Sequence, residues 1–478
     1  MAILAGPYIQ STSRRDALIC WVTDSTAPYT NTNSEVRVGT TTGNLNMVFK
    51  NSSSVTSNSV LSNNYLHVVR VTGLLPDTKY FYTVGNIGTQ QTVNSDQYFW
   101  TAPLIGENTS NKVFWAQADA GAANNIETGF NNFLSTNSIT KINGMLAIGD
   151  NAYGSGLYSE YSSLFFGSSA YQTQLRKYNL ISCAGNHDYP SNGQTNAYMS
   201  RPYFNLIKPP MLTETGGIAS FNSKYYSWDY GNIHFISLDG YNIVGGVQSV
   251  STNSSQYKWL VNHLKYVKQE KLAGRKKWII VIEHFPGFSD AGHPTYNATS
   301  PSTSEPGIEF RNVYIPLLHQ YDVDLCLYGH DHNYYRTNVI HDFNGSNGFS
   351  GTANVWTPNQ GKLGRDSDPY IKTASYSGTV HVVQGNANTA YYVTNGLYGN
   401  SPNNLMVSST KTITNSTVNN ATTPPNGPTN LLNNAPGNFL GSSVIQIKPG
   451  AGVGGLDRLT YTHISETGVV RDYFHIDK

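Results

Sequence analysis

Short, continuously apolar runs that each end in a polar motif constrain the fold of this chain more than any other feature of its sequence. The runs lie at Val113–Ala118, Met145–Ile148, Leu180–Ala184, Ile233–Leu238, Trp278–Ile282 and Val323–Tyr328. Strands that bury only one face alternate apolar and polar residues, whereas continuous runs like these are typical of strands buried on both faces. The pattern therefore predicts an α/β domain in which helices cover a β-sheet.

A long helix is predicted between two of these strands. Residues Ser255–Ala273 carry apolar side chains at helical spacing, and Gly274 follows as a stop signal. The apolar stripe of this helix consists of Tyr257, Leu260, Val261, Leu264 and Val267. We expect that face to cover the sheet.

The first hundred residues have a different rhythm, in which turns separate short strands. The predicted strands are Ala17–Val22, Glu35–Val38, Tyr65–Val71, Tyr80–Val84 and Tyr98–Trp100. Strands of this length and spacing predict a small β-sandwich, and the stretch resembles a fibronectin type III domain. Because Thr101–Asn111 holds Pro103 and Gly106, it is the predicted linker. The expected domains are residues 1–104 and 105–478.

The end of the chain returns to strands after an irregular region. Gly385–Gly441 is rich in Asn, Thr, Ser and Pro, a composition that predicts a long surface loop. Val444–Lys448 is a predicted strand, and a hairpin is expected to turn near Glu466–Gly468.

The charge balance and the cysteines argue against several classes of protein. Only 12% of the 478 residues are charged, and the formal net charge is +1. Bulk electrostatics therefore predicts neither a nucleic-acid partner nor a membrane partner. No apolar stretch approaches the ~20 residues that span a bilayer. Cys20, Cys183 and Cys326 each lie in an apolar run, which predicts buried free thiols rather than a disulfide framework.

The start of the chain lacks the basic and apolar regions of a signal peptide. Either the protein is cytoplasmic, or its signal peptide has been removed. Low charge combined with abundant Asn, Ser, Thr and 33 tyrosines is common in secreted proteins. We expect a secreted or periplasmic protein without its signal peptide, with a cytoplasmic location as the alternative. The sequence carries no signal for the oligomeric state.

Side chains that can bind metal follow five of the predicted strands. The motifs are Asp119-Ala-Gly121, Gly149-Asp150-Asn-Ala-Tyr153, Gly185-Asn186-His187-Asp188, Val281-Ile-Glu-His284 and Gly329-His330-Asp-His332. Each has a structural explanation when taken singly, because an Asp after a strand is usually a turn former and a lone His is usually a hydrogen-bonded structural residue. Ligands in open α/β sheets gather outside the carboxyl ends of strands. The ordered set therefore favours one shared site.

This set resembles the signature of the calcineurin-like metallophosphoesterases, and within them that of the purple acid phosphatases: D-x-G, G-D-x-x-Y, G-N-H-D/E, V-x-x-H and G-H-x-H. All five motifs match. The resemblance covers essentially the whole chain, because large plant-type members carry a fibronectin-like domain ahead of the catalytic one. It implies an N-terminal all-β sandwich followed by an α/β catalytic domain with a four-layer αββα fold.

The resemblance also implies two metal ions bridged by Asp150. The residues implied for one ion are Asp119, Asp150, Tyr153 and His332. Those implied for the other are Asp150, Asn186, His284 and His330. A phenol binds as phenolate only next to a strongly acidic cation, so Tyr153 indicates Fe(III) in the first site. The second donor set suits Fe(II), Zn(II) or Mn(II).

Two histidines are candidates to orient phosphate and to protonate the leaving alkoxide. His187 adjoins Asn186, and His293 lies nine residues after His284 at a spacing found in the family. An exposed loop position is the alternative for His293, which Gly and Pro flank. Asp188 is expected to orient a neighbouring histidine or to cap the turn.

The expected activity is hydrolysis of small phosphate monoesters, as in an acid phosphatase. A water activated by the two metals would attack phosphorus in line. One alternative is a metallophosphodiesterase or nucleotidase with the same metals, because the motifs specify the ions and not the ester. A second is a binding protein that keeps an inactive phosphoesterase fold.

Overall fold

The computed structural model describes residues 3–24, 34–51, 57–86, 89–92, 94–121, 125–167, 171–189, 201–241, 243–244, 247–248, 251–289, 293, 295, 306–341, 343, 354–355, 369–387 and 440–478. The first twelve strands are β1 (Ile3–Gln10), β2 (Ala17–Thr23), β3 (Ser34–Gly39), β4 (Met47–Asn51), β5 (Ser57–Asn58), β6 (Asn64–Val71), β7 (Lys79–Asn86), β8 (Thr89–Gln90), β9 (Tyr98–Trp100), β10 (Lys112–Gln117), β11 (Gly144–Ile148) and β12 (Asn179–Cys183).

The later strands are β13 (Tyr226–Tyr230), β14 (Ile233–Ser237), β15 (Ile243–Val244), β16 (Val247–Gln248), β17 (Trp278–Ile282), β18 (Leu325–Tyr328), β19 (Tyr334–Arg336), β20 (Ile340–His341), β21 (Asn354–Val355), β22 (Tyr370–Ile371), β23 (Val380–Gln384), β24 (Gly441–Lys448), β25 (Arg458–Ser465) and β26 (Val470–Asp477). The helices are α1 (Ile126–Thr136), α2 (Tyr158–Glu160), α3 (Gln172–Leu175), α4 (Pro202–Leu206), α5 (Ser255–Leu272), α6 (Pro306–Val313) and α7 (Ile315–Gln320).

Two large mixed sheets pack face to face. The first has 11 strands in the order β22-β26-β25-β24-β10-β11-β12-β1-β2-β6-β5, and the second has six in the order β13-β14-β17-β18-β23-β19. Large apolar side chains such as Phe114, Trp228 and Trp278 fill the space between them. Phe130 of α1 packs on the outer face of the first sheet, and Leu264 of α5 packs on that of the second. The predicted four-layer arrangement is confirmed.

The N-terminal β domain shares a sheet with the rest of the molecule. Strands β3, β4, β7, β8 and β9 form a separate small sheet that packs on β2 and β6. In contrast, β1, β2 and β6 belong to the 11-stranded sheet, where β1 pairs in parallel with β12 at Ile9↔Asn179 and Gln10↔Leu180. The Trp228 indole donates to the Thr12 carbonyl at 2.6 Å across the same junction. The division at residue 104 remains a prediction, but the sandwich is an extension of the main sheet.

The predicted strands agree with the structure, but several observed strands are not predicted from the sequence, among them β1, β4, β13 and β23. Pro7 lies inside β1, and the register of β1 with β2 shifts between Ile3 and Ala5 and again between Ala5 and Tyr8, across Gly6-Pro7. A proline inside a strand argues against a strand assignment, because it removes a ladder donor and is tolerated only at edges and bulges. In β4, half-buried and exposed residues alternate over only five positions, which is a weak signal.

The predicted helix is present as α5, but its buried face is rotated from the predicted stripe. Leu260, Leu264 and Val267 are buried as expected. Trp259 and His263 complete this face, while the predicted Tyr257 and Val261 are only partly buried beside it. The Trp259 indole donates to the Ile218 carbonyl at 3.1 Å, so the buried face of α5 includes a polar contact that an apolar stripe does not predict.

The end of the chain adds three antiparallel strands to the first sheet. The predicted strand Val444–Lys448 is the second half of β24, and the predicted hairpin turn lies between β25 and β26. Most of the predicted loop Gly385–Gly441 lies outside the described residues. The three cysteines are buried and free, as predicted. Among the helices of the described residues, none has the length and apolarity needed to cross a membrane.

Candidate metal centre

The strand order brings the polar motifs to one edge of the molecule. Strands β10, β11 and β12 are parallel neighbours in the first sheet, and β17 and β18 are parallel neighbours in the second. Asp119, Asp150 and Asn186 follow the first three strands, and His284 and His330 follow the other two. Because parallel strands end at the same edge, all these residues converge there.

Three of the predicted ligands have left-handed backbone conformations. The φ angles are 56° at Asp119, 50° at Asp150 and 65° at His330. Residues other than glycine rarely occupy this region, which costs roughly 1–3 kcal/mol each and persists only where the surroundings enforce it. The strain is concentrated where each strand ends and its side chain must turn towards the shared centre.

Neighbouring glycines allow the ligands to approach one another closely. A Cβ atom added at Gly185 would clash with the carboxylate and backbone nitrogen of Asp150, and one added at Gly149 would clash with the His284 ring. A Cβ at Gly329 would clash with the Asp119 carboxylate. The glycines of these motifs are therefore required by the packing of the site as well as by its turns.

Three predicted ligands surround the hydroxyl of a fourth, Tyr153. Its oxygen lies 2.9 Å from Asp119 Oδ1, 3.0 Å from Asp150 Oδ2 and 3.0 Å from His332 Nε2. We call Asp119, Asp150, Tyr153 and His332 the tyrosine half-site. All four side chains offer hard or borderline donors to a common point.

The remaining predicted ligands surround the Asn186 amide oxygen. This oxygen lies 3.2 Å from His284 Nε2 and 3.0 Å from His330 Nδ1, and His284 Nε2 lies 3.3 Å from Asp150 Oδ1. We call Asp150, Asn186, His284 and His330 the asparagine half-site. Asp150 turns one oxygen towards each half-site, which is the geometry that a bridging carboxylate needs.

Backbone groups orient these side chains. The Ile148 carbonyl accepts a hydrogen bond from His284 Nδ1 at 3.0 Å, so that Nε2 faces the centre. The backbone amide of His330 donates to Asp119 Oδ2 at 2.8 Å, and that of His187 donates to Asp150 Oδ1 at 2.9 Å. Each loop therefore positions a ligand that belongs to another loop.

Asp188 joins two loops instead of orienting a histidine. Its carboxylate accepts hydrogen bonds from the Gly185 amide at 2.8 Å and from Asn151 Nδ2 at 2.9 Å, and also from the Tyr161 hydroxyl. The predicted role in the turn holds, since Asp188 closes the loop that starts at Gly185. Asn151 is visible in the Gly-Asp-Asn motif, but no sequence signal marks Tyr161.

The two candidate proton-transfer histidines contact different half-sites: the His187 ring lies against Tyr153, and the His293 ring lies against His330. His187 Nδ1 lies 2.7 Å from the Gly154 carbonyl, and its Nε2 lies 3.8 Å from Asp150 Oδ2. The His293 ring lies 4.0 Å from the His330 ring, at the asparagine half-site. His187 is 35% exposed. The structure thus brings all nine predicted site residues to one region.

The electrostatics of the centre favour a bound cation. Asp119, Asp150 and His284 are buried and could hold a metal ion together. Burial, followed by the charges of Asp119 and Asp150, raises the pKa of Tyr153 well above its usual value. Burial disfavours the His284 imidazolium, but Asp150 and Asp119 outweigh it and raise its pKa to about 10. A cation would satisfy both carboxylates and remove the need for these protons, so the donor set fits a dinuclear metal centre.

Comparisons with known proteins point to one family. The family model described as "Purple acid Phosphatase, N-terminal domain" matches residues 6–102, and that described as "Calcineurin-like phosphoesterase" matches residues 114–334. Acid phosphatase type 7 of Danio rerio is 26% identical over 68% of this chain and 65% of its own length. Purple acid phosphatase 15 of Arabidopsis thaliana is 25% identical over 58% of this chain and 50% of its own length. The matches thus span about half to two thirds of these relatives.

Solved structures agree on the fold. The purple acid phosphatase PPD1 from yellow lupin (Lupinus luteus) seeds superposes over 98% of this chain and 74% of its own, with a TM-score of 0.64 and 17% identity. The structure of PhoD superposes over 95% of this chain and 85% of its own, with a TM-score of 0.57 and 12% identity. Two adjacent family models, these relatives and this geometry agree: the chain belongs to the purple acid phosphatase family of calcineurin-like phosphoesterases.

Proposed function

We propose that this protein is a metal-dependent acid phosphatase that hydrolyses small phosphate monoesters at the dinuclear centre. One observation carries the proposal: Asp150 directs Oδ2 to the tyrosine half-site and Oδ1 to the asparagine half-site. A carboxylate shared in this way holds two cations about 3.5–4 Å apart, the arrangement used for in-line displacement at phosphorus. Family membership supports the same reaction.

The two half-sites suit different ions. The tyrosine half-site, with two carboxylates and a phenol, would hold Fe(III), because such hard donors stabilise a trivalent cation. The asparagine half-site, with an amide oxygen and two imidazoles, would hold Fe(II), Zn(II) or Mn(II). Bound there, the ions supply charge neutralisation of the phosphoryl group and an activated water.

Two histidines orient the phosphoryl group and protonate the leaving oxygen. The hydrogen bond from His187 Nδ1 to the Gly154 carbonyl directs Nε2 towards Asp150 and the tyrosine half-site. The His293 ring contacts the His330 ring at the asparagine half-site, where an imidazolium can donate a proton to the leaving oxygen. His187 orients the phosphoryl group, and His293 protonates the alkoxide.

The ester class follows from a direct comparison of substrates. The ligands alone would also serve a phosphodiesterase or nucleotidase. We expect kcat/KM for an aryl monoester to exceed that for the matching diester at the same pH. The reverse preference would replace the proposed reaction with diester hydrolysis.

Tyr153 allows the metal assignment to be tested. We expect the purified protein to contain iron and to show a visible phenolate-to-Fe(III) absorption band, and we expect that band to vanish in Tyr153→Phe. The measurements are metal analysis and an absorption spectrum. Tyr241→Phe, which changes a tyrosine outside both half-sites, is the matched control and should keep the band. An active protein that is free of iron and colourless would contradict the assignment.

The proposed location of the protein is secreted or periplasmic. In support, only 12% of the residues are charged, a low fraction that is common in secreted proteins. Detection of the mature protein in the secreted or periplasmic fraction of the native cells would test this, and its recovery from the cytoplasm would contradict it.

A further inference from the structure

Tyr241 lies at the same edge as the metal centre and has no part in the function proposed above. Strand β14 ends at Ser237, which pairs with Ile282 of the parallel neighbour β17. Residues that follow Ser237 therefore run beside those that follow Ile282, among them His284. Tyr241 is placed at the rim of the asparagine half-site by this topology.

The ring of Tyr241 contacts aromatic residues that directly follow two metal-binding motifs. Its centroid lies 5.6 Å from that of Phe285, with the two planes 14° apart. Phe285 in turn lies 4.6 Å from the ring of the ligand His330. The ring centroid of Tyr241 also lies 5.0 Å from that of Tyr189, the residue after Asp188. One aromatic chain thus connects Tyr241 with the asparagine half-site.

Buried carboxylates hold the segment that carries Tyr241. The amide of Tyr241 donates to Asp239 Oδ1 at 3.1 Å, and the Tyr189 hydroxyl donates to Asp239 Oδ2 at 2.6 Å. The amide of Gly240 donates to Glu283 Oε1 at 2.9 Å. Asp239 and Glu283 are both buried. Tyr241 is therefore held in place by two adjacent anchors and by ring contacts.

The hydroxyl of Tyr241 is available to a ligand. Within the described ranges, no protein group forms a hydrogen bond with it, whereas the hydroxyls of Tyr153 and Tyr189 are bonded. The side chain is half-buried. Burial, followed by the negative charges of Asp150 and Asp239, raises the pKa of the Tyr241 phenol. The hydroxyl thus remains a proton donor, and the bridging carboxylate lies within electrostatic reach of it.

We propose that the Tyr241 hydroxyl donates a hydrogen bond to a phosphoryl oxygen of the substrate at the asparagine half-site. The inference rests on the proposed function and adds a substrate-binding residue to it. A neutral donor binds a phosphate oxygen without repelling the metal ions, unlike a lysine or arginine at the same place. Its hydrogen bond to a charged oxygen is stronger than one between neutral groups.

The variant Tyr241→Phe tests this because it removes the hydroxyl and keeps the ring contacts. Inorganic phosphate is titrated into the metal-loaded protein by calorimetry, and monoester kinetics are measured in parallel. We expect the Kd for phosphate and KM each to rise about tenfold, with a smaller change in kcat. Tyr266→Phe, which changes a half-buried tyrosine of α5 whose ring lies 6.3 Å from that of His263, should match the parent in both measurements.

Equal phosphate affinity and equal KM in Tyr241→Phe and the parent would overturn the proposal, as would a fall in kcat alone. The unfolding midpoint of the variant should match that of the parent, so a loss of folding is separable from a loss of binding. A parent protein that binds phosphate but does not hydrolyse monoesters would contradict the proposed function. The calorimetric test of Tyr241 would still be decisive in that case, since it needs no turnover.

Discussion

Strand β18 has a buried carboxylate cluster at each end, and the two clusters are neutralised in different ways. Asp324 directly precedes the strand and lies 2.7 Å from the ammonium groups of both Lys372 and Lys478. Beyond the other end, Asp119 and Asp150 meet only histidines among the ion pairs of the described residues. The first cluster is neutralised by the chain's own cations.

The difference shows which cluster is structural and which is prepared for a ligand. Burial alone would raise the pKa of Asp324, but Lys372 and Lys478 outweigh it and hold that pKa below its usual value. At the metal centre the compensation comes from imidazoles, which are themselves metal ligands and lose their protons when a cation binds. An internal salt bridge is permanent, whereas histidine protons can be exchanged for metal.

Asp150→Asn should have the largest effect, because it removes the carboxylate shared by both half-sites. We expect kcat/KM for a monoester to fall about a thousandfold or more, with loss of at least one metal per chain. Activity assays and metal analysis of the purified variant measure this. An Asp150→Asn variant with full metal content and full activity would contradict the assignment of this cluster to metal binding.

Asp324→Asn should lower stability and leave metal binding unchanged. Removing this carboxylate leaves two buried ammonium groups with fewer partners, so we expect the free energy of unfolding to fall by roughly 3–5 kcal/mol. Metal content per folded chain should not change. Urea unfolding followed by circular dichroism measures the loss. Asp77→Asn is the control, because Asp77 pairs with Lys141 at a site where its side chain is 40% exposed, and exposed pairs contribute about 0–1 kcal/mol.

The buried base His67 provides a third case. It stacks on Trp21, and its hydrogen-bond partners among the described residues are the uncharged hydroxyls of Thr23 and Ser34, at 2.9 and 2.8 Å. Burial lowers its pKa to about 4. Between pH 6.5 and 4 the unfolded chain therefore binds more protons than the folded one, and stability falls as the pH falls.

The loss attributable to His67 is about 3 kcal/mol over that interval. In His67→Gln the free energy of unfolding should decline less between pH 7 and pH 4 than in the parent. Urea titrations of both proteins at the two pH values test this. Parallel declines would mean that the imidazole does not titrate differently in the folded and unfolded states.

The sequence was most informative where local chemistry and strand position agree. Asp119, Asp150 and His284 could be placed at strand ends because the apolar runs before them are continuous and the glycines beside them are visible. The partition into two half-sites came from the family resemblance, and the structure places the same residues together. Tyr241 could not be found in this way, because it lies beyond a strand whose motif contains no ligand.

Contacts between distant parts of the chain also escaped prediction. Asp324, Lys372 and Lys478 are far apart in sequence, and nothing in their local surroundings indicates that they meet. The same is true of Tyr161 and Asp188, whose hydrogen bond joins a short helical turn to a metal-binding loop. Strand β1 is not predicted because a proline such as Pro7 argues against a strand. The sheet accommodates Pro7 with a shift of register between β1 and β2.

The parallel pairing of β1 with β12 has a consequence for the order in which the protein can assemble. During synthesis β1 leaves the ribosome well before its partner, since Ile9 pairs with Asn179. The N-terminal sandwich can close most of its own strands at once, but one edge of β1 must wait for the later strand. Such non-local pairing is slow and leaves a strand edge open to wrong partners. A nascent or truncated chain that stops before β12 should therefore depend on chaperones to keep that edge from aggregating.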